Sequence, residues 1–289
     1  MGSEFEITRY SRVIRWRHVA SMLFFCAVTF YLNSAHAKSR VEAPLPELVA
    51  LLTELSPQDC FQIEPFVQRA SARAEVVRFG TKSLHSAEIS EWESVDLRPS
   101  RVLGTQPLPS GARILFSPWR ALNAVTLLAD RMSELEPLCA HSIEKRIAMI
   151  ERRLMGLISR IELSTQELAT KEKALVAFDV ETIGVVEGLD LPLAGIMAQS
   201  PKGLPSPAQF GRELGKLRKM NIAAIIHARG GDLAQPRAAS RDLNIPLVVL
   251  DLDKEIPSSL SFSQYLEEFY RAVLNGLGVR LILKEEREN

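Results

Sequence analysis

The run Ala174-Leu-Val-Ala-Phe-Asp179 decides the fold class, because it opens a segment in which apolar strands alternate with amphipathic helices. Residues 174–178 predict a strand and 181–188 a short helix. A strand at 193–198 precedes an amphipathic helix at 205–220, opened by Ser206-Pro207. A strand at 222–226, a helix at 234–243, a strand at 245–250 and a helix at 261–277 complete the series. Alternation of this kind predicts an α/β fold, a parallel sheet with helices on both faces. Ligands of such sheets bind outside the carboxyl ends of the strands. Here those ends carry Asp179, His227 and Asp251, with Asp253 close behind. Two carboxylates and an imidazole on one edge suit a divalent cation. They also suit the ordinary emergence of a strand into solvent, and the pattern leaves both readings open.

The longest helical tract lies immediately upstream. Pro118 suits a first helical position. Leu122, Val125, Leu128, Met132 and Leu135 follow at helical spacing until Pro137 interrupts them. A second helix, capped by Ser142, is expected to run to about residue 173. Ile143, Ile147, Ile150, Leu154, Leu157, Ile161 and Leu168 line one side of it. A coiled coil and an intramolecular spine both fit; one long strip favours the spine. Between 38 and 111 the pattern is mixed. Residues 46–55 have helical spacing, 60–63 and 74–79 read as short strands, and Pro107, Pro109 and Gly111 mark a loop over 105–111. Residues 112–116 predict a short apolar strand.

The first 37 residues point to a compartment. Arg9, Arg12, Arg15 and Arg17 form a basic region, an apolar run follows from Val19 to Leu32, and Ala35-His36-Ala37 is a small-x-small site. That order is the layout of a secretory signal peptide. The apolar run falls short of the roughly 20 residues of a membrane span, the competing reading being an uncleaved anchor. A soluble exported chain starting near Lys38 is therefore expected, and it is expected to be a monomer. Gly2-Ser3-Glu4-Phe5 resembles a cloning scar and carries no structural weight.

Apolar content of 46% and charged content of 24% are ordinary for a globular protein. Loss of residues 1–37 removes four of 35 basic and two of 35 acidic residues, leaving 31 against 33. This balance offers no footprint for nucleic acid or an anionic membrane. Cys60 and Cys139 are then the only cysteines, and in an oxidising compartment they can form one disulfide. Two buried free thiols are the alternative. No phosphate loop, dinucleotide fingerprint, paired-cysteine zinc motif, His-Glu-x-x-His or Gly-x-Ser-x-Gly elbow appears, and no nucleophile is named, so a non-enzymatic protein is expected. Ala228-Arg-Gly-Gly-Asp232 follows a strand and reads either as a turn or as a backbone anion cradle.

Several segments together resemble the periplasmic solute-binding proteins of zinc and manganese ABC importers. Phe116-Ser-Pro-Trp-Arg-Ala121 is similar to the segment that introduces that family's linking helix, and Glu134-Leu-Glu-Pro137 to its Asp-Pro break. Ala174–Asp179 resembles the strand ending in the third metal ligand. Leu204-Pro-Ser-Pro-Ala-Gln-Phe210, Leu217-Arg-Lys-Met-Asn-Ile222 and Asn244-Ile-Pro-Leu-Val-Val-Leu-Asp251 resemble successive parts of the second lobe, the last ending in an aspartate ligand. The likeness covers about residues 112–277. It implies two α/β lobes joined by a long rigid helix, each with a parallel sheet flanked by helices. The implied division is a signal peptide (1–37), an N-terminal lobe (38–117), a linking helix (118–172) and a C-terminal lobe (173–289). A zinc or manganese ion held between the lobes and an ABC importer permease are the implied ligand and partner.

The departures from that pattern bear on the ligand. Arg113 stands where the family offers a histidine before the helix-introducing Ser-Pro, and Glu93 where a first-lobe histidine is expected. His85 is the early histidine of the region; Asp179 replaces histidine or glutamate, and His227 falls where glutamate is frequent. A guanidinium cannot deprotonate and cannot ligate a cation. In the cleft it would pair with Asp179 or Asp251. The resemblance therefore leaves two outcomes: a metal site rebuilt from Asp179, His227 and Asp251, or an accessory protein whose site has lost its metal.

Overall fold

The computed structural model describes residues 39–43, 45–65, 76–81, 93–95, 112–198 and 204–282. The expected signal peptide, the 105–111 loop and His85 lie outside the described residues. Two four-stranded sheets, each wholly parallel, flank a helical spine. The first sheet has the order β2-β1-β3-β4, built from β1 (Ser39–Ala43), β2 (Phe61–Pro65), β3 (Val76–Thr81) and β4 (Glu93–Val95). Its register places Ser39 beside Phe61, Arg40 beside Val76 and Phe79 beside Glu93. Helix α1 (Pro46–Leu55) connects β1 to β2; Pro46 opens it, where the missing N–H costs nothing.

Residues 112–116 differ from the expected strand. Ile114–Phe116 form a 3₁₀ turn, with Phe116 N–H donating to the Arg113 carbonyl. The turn delivers the chain into α2 (Pro118–Leu135). After a second 3₁₀ turn at Pro137–Cys139, α3 (Ala140–Thr170) runs for 31 residues, about 46 Å at 1.5 Å per residue. Ser142 lies inside its first turn, and the cap position is Cys139. Ile143, Ile150, Leu154, Leu157 and Ile161 are buried along one side, which makes α3 an intramolecular spine. Cys60, just before β2, is bonded to Cys139 in the turn between the two long helices.

The second sheet has the order β6-β5-β7-β8 and follows the strand-helix alternation of the sequence. Its strands are β5 (Ala174–Asp179), β6 (Leu193–Ala198), β7 (Ile222–Ala228) and β8 (Leu247–Leu250). The intervening helices are α4 (Ile183–Gly188), α5 (Pro207–Leu217), α6 (Ala234–Leu243) and α7 (Phe262–Gly276). Ser206 caps α5 by accepting the Gln209 N–H, and Ser261 with Gln264 forms a capping box on α7. Asn244 ends α6 in the left-handed conformation, φ 52°.

β5 is buried on both faces, as a central parallel strand requires. Ala174, Val176 and Phe178 pack with Leu214 and Leu217 of α5 and Ala239 of α6. Leu175 and Ala177 join a larger core that runs from Val41 through α1, α2 and α3 to Leu274. That shared core fixes the lobes against the spine. Tyr270 anchors α7 by donating to the Phe116 carbonyl at 2.7 Å. Gly188 makes room for it: a Cβ there would lie 1.8 Å from the Tyr270 hydroxyl.

The disulfide closes a loop of 79 residues, which in the chain-entropy picture contributes about 4 kcal/mol by restricting the unfolded chain. Reduction, or the double change Cys60→Ala and Cys139→Ala, should lower unfolding stability by about 2–4 kcal/mol in urea titrations. An unchanged midpoint would mean that the bond does not constrain the chain in solution.

Candidate functional site

Arg113 leaves the 112–117 segment between the lobes and is 7% exposed. Its Nε and Nη2 donate to the two Glu47 carboxylate oxygens at 2.7 and 2.8 Å, a fork-on-fork pair with α1. Nη1 donates to Asp253 at 2.6 Å and Nη2 to the Leu252 carbonyl at 2.8 Å, both in the loop after β8. The guanidinium thus spans the first lobe and the carboxyl end of the second sheet. Burial disfavours its charge. The Glu47 hydrogen bonds and charge, with Asp253 behind them, outweigh burial and raise its pKa. The backbone approaches closely: Arg113 N–H donates to the Glu181 carbonyl at 3.4 Å, and a Cβ at Gly184 would lie 2.3 Å from the Arg113 carbonyl oxygen. Arg113 therefore pairs with Glu47 and Asp253, where the sequence suggested Asp179 or Asp251.

Asp179 and His227 meet at the carboxyl ends of the adjacent strands β5 and β7. His227 Nδ1 lies 2.8 Å from Asp179 Oδ2, which also accepts the Ala228 N–H at 2.9 Å. Asp179 Oδ1 accepts the Thr182 N–H at 3.2 Å, capping the turn that follows β5. Both residues are buried. The other imidazole nitrogen, Nε2, is buried without a hydrogen-bond partner. It lies under the Arg229-Gly-Gly turn, where a Cβ at Gly231 would be 2.8 Å from Cε1 and 3.2 Å from Nε2. Phe178 meets the ring edge-on at 5.3 Å.

Asp251 points elsewhere, pairing with Arg229 at 3.2 Å on the exposed side of β8. Glu93 lies in β4, in register with Phe79. Among the described residues, no three His, Cys, Asp or Glu side chains converge as a metal site does. The sequence reading missed two carboxylates. Glu47 sits in the first turn of an apolar helix and is 1% exposed. Glu181, two residues beyond Asp179, is half-buried. Burial raises its pKa first, Asp179 and Asp253 raise it further, and Arg113 and His227 oppose them.

A second carboxylate of α1 ties the lobes together. Glu54, seven residues after Glu47, accepts the Ser263 N–H at 2.9 Å and hydroxyl at 2.7 Å. It thereby serves an open backbone donor at the start of α7. Arg153 of α3 reaches the same carboxylate at 3.2 Å.

No protein-family model matches the chain, and no curated protein matches its sequence. Solved structures do match its fold. The SBP FpvC from Pseudomonas aeruginosa in complex with Mn2+ superposes with a TM-score of 0.65 at 12% identity, over 83% of this chain and 98% of that one. ZnuA gives 0.60 at 14% identity, over 83% and 99%. The laminin-binding protein Lmb of Streptococcus agalactiae, described as bifunctional with adhesin and metal-transporting activity, gives 0.61 at 14% identity, over 83% and 99%. At these identities the likeness is one of fold.

Two measurements probe the site. Arg113→Met leaves the Glu47 carboxylate buried without its partner and should cost about 3–5 kcal/mol of stability. Adding Glu47→Leu should recover much of that loss in urea denaturation; a double variant whose cost equals the sum of the Arg113→Met and Glu47→Leu costs would show that the pair is not coupled. Glu181 gives a pH signature. A carboxyl whose pKa is raised by folding contributes stability below its ordinary 4.5 and loses it as pH rises through the raised value. Glu181→Gln should match wild type near pH 4 and exceed it at pH 7. A constant difference between the two proteins at both pH values would contradict that environment.

Proposed function

We propose that the protein is an exported solute-binding-type component of a metal-class ABC importer system, acting as an accessory protein that does not carry zinc or manganese between its lobes. In this reading residues 1–37 are a cleaved signal peptide, and residues 38–117 and 173–289 form lobes about the 118–172 spine. One observation carries the reading. The charged Arg113 guanidinium, bound by Glu47 and Asp253, is a fixed cation between the lobes of a metal-carrier fold. It consumes the carboxylates on both sides and would repel a divalent ion placed among them. No enzymatic step is invoked; the partner is an importer permease or another exported protein.

A second reading keeps metal as the cargo, captured by Asp179, His227 and Asp251. It is favoured by the contact of Asp179 with His227 and by the unpartnered His227 Nε2. To complete such a site, the Gly230–Gly231 turn would lift from Nε2 and Asp251 would release Arg229.

Calorimetric titration of chelator-stripped protein with zinc and manganese separates the two. The accessory reading expects no stoichiometric binding by wild type and a gain of zinc affinity in Arg113→His. Stoichiometric binding by wild type, lost in Asp179→Ala and Asp251→Ala, would overturn it in favour of metal capture.

A further inference from the structure

Away from Arg113, on the other side of α1, lies a cleft of about 800 Å³. That size is within the range of small-molecule pockets. Its walls are α1 with the ends of β1 and β2, the N-terminal half of α3, and the 255–261 loop leading into α7. α1 buries Leu48, Leu51, Leu52 and Leu55 in the core and turns half-buried Val49 and Ala50 toward the cleft. Ile256, Pro257 and Leu260 face them from the loop, and Met149 from α3. The lining is thus largely apolar at its floor.

The cleft carries two arginines and two glutamates, and they do not all pair with one another. Arg146 and Arg153 stand seven residues apart on α3, on the face that also carries Met149. Glu54, the buried carboxylate nearby, is fully engaged by Ser263 and Arg153. Arg146 uses one N–H, on the Glu54 backbone carbonyl at 3.0 Å, and among the described residues it has no carboxylate partner. Four of its five donors remain for a ligand. Glu255, exposed on the opposite lining, disfavours a second negative charge.

We infer that this cleft binds a monoanionic aliphatic carboxylate, with the head group on Arg146 and the chain along Val49, Ala50, Ile256 and Leu260. A planar carboxylate matches the guanidinium fork. The apolar lining takes the chain out of water, at about 0.8 kcal/mol per buried methylene. The site is independent of Arg113 and of any divalent ion, so its fate and that of the accessory reading are separable.

The test uses the full mature chain in EDTA, titrated calorimetrically with decanoate, decyltrimethylammonium and 1-decanol. Decanoate should bind with one-to-one stoichiometry, at least tenfold more tightly than the ammonium or the alcohol. Arg146→Gln, a change at a partly exposed residue, should weaken decanoate at least tenfold and leave the alcohol unchanged. Ala50→Trp, checked by near-ultraviolet circular dichroism for native packing, should abolish binding of all three. Absence of decanoate binding, equal binding of decyltrimethylammonium, or full decanoate affinity in Arg146→Gln would each overturn the assignment.

Discussion

A guanidinium buried between two lobes must be met by carboxylates or hydrated, and here it is met. Glu47 binds it in a bidentate fork from the first lobe, and Asp253 and the Leu252 carbonyl hold it from the second. The two anionic partners differ in kind. Glu47 is almost wholly excluded from water, whereas the Asp253 side chain is 77% exposed. The first pair carries the penalty of desolvation and the stronger attraction. The second is screened and contributes little by itself. Glu47 therefore fixes the guanidinium from the first lobe, and the Leu252 carbonyl, with Asp253 at the solvent edge, ties it to the second. An arginine cannot leave, so this positive charge is a permanent part of the contact between the lobes.

Helix α1 concentrates this effect. Glu47 and Glu54 are two turns apart, and both are buried. One engages Arg113, and the other serves the backbone at the start of α7 and Arg153 on the spine. The same helix contributes Leu48, Leu51, Leu52 and Leu55 to the common core. Apolar packing places α1, and its two carboxylates then determine which parts of the second lobe it holds. The apolar surface alone would tolerate small slides of one lobe over the other. Directional charge-assisted bonds tolerate them much less.

The sequence made the second lobe readable because its strands are short, apolar and separated by helices with capping residues. Ala174–Asp179, Ser206-Pro207 and the 261–277 segment each predicted an element that the structure contains. The first sheet was harder. Ser39–Ala43 is a strand of five residues holding Ser, Arg and Glu, and no periodicity marks it. Residues 112–116 are as apolar as a strand but form a 3₁₀ turn, because the backbone there packs against Gly184. The site was readable only in part. Strand ends located Asp179 and His227, since adjacent parallel strands bring those ends together. Glu47 escaped because a first-turn glutamate is ordinarily a solvated helix-dipole partner. Nothing local to α1 reveals that a buried arginine 66 residues later will meet it.

Asp179 and His227 are held by internal partners in the same way, on a smaller scale. At the paired strand ends the carboxylate is on β5 and the imidazole on β7. The pair keeps its hydrogen bond at 2.8 Å. Both Asp179 oxygens are then taken by donors, Oδ2 by the Ala228 N–H and the imidazole, Oδ1 by the Thr182 N–H. An oxygen committed to two donors is a poor ligand for an incoming ion, which must first displace them. The remaining nitrogen of His227 lies against the Gly231 backbone, away from the exposed Arg229–Asp251 pair. Both Asp179 oxygens are thus turned toward internal partners, and His227 Nε2 stays buried without one. The combined effect is to stabilise the strand-end turns themselves, so that Asp179 and His227 work as caps and braces of the second lobe.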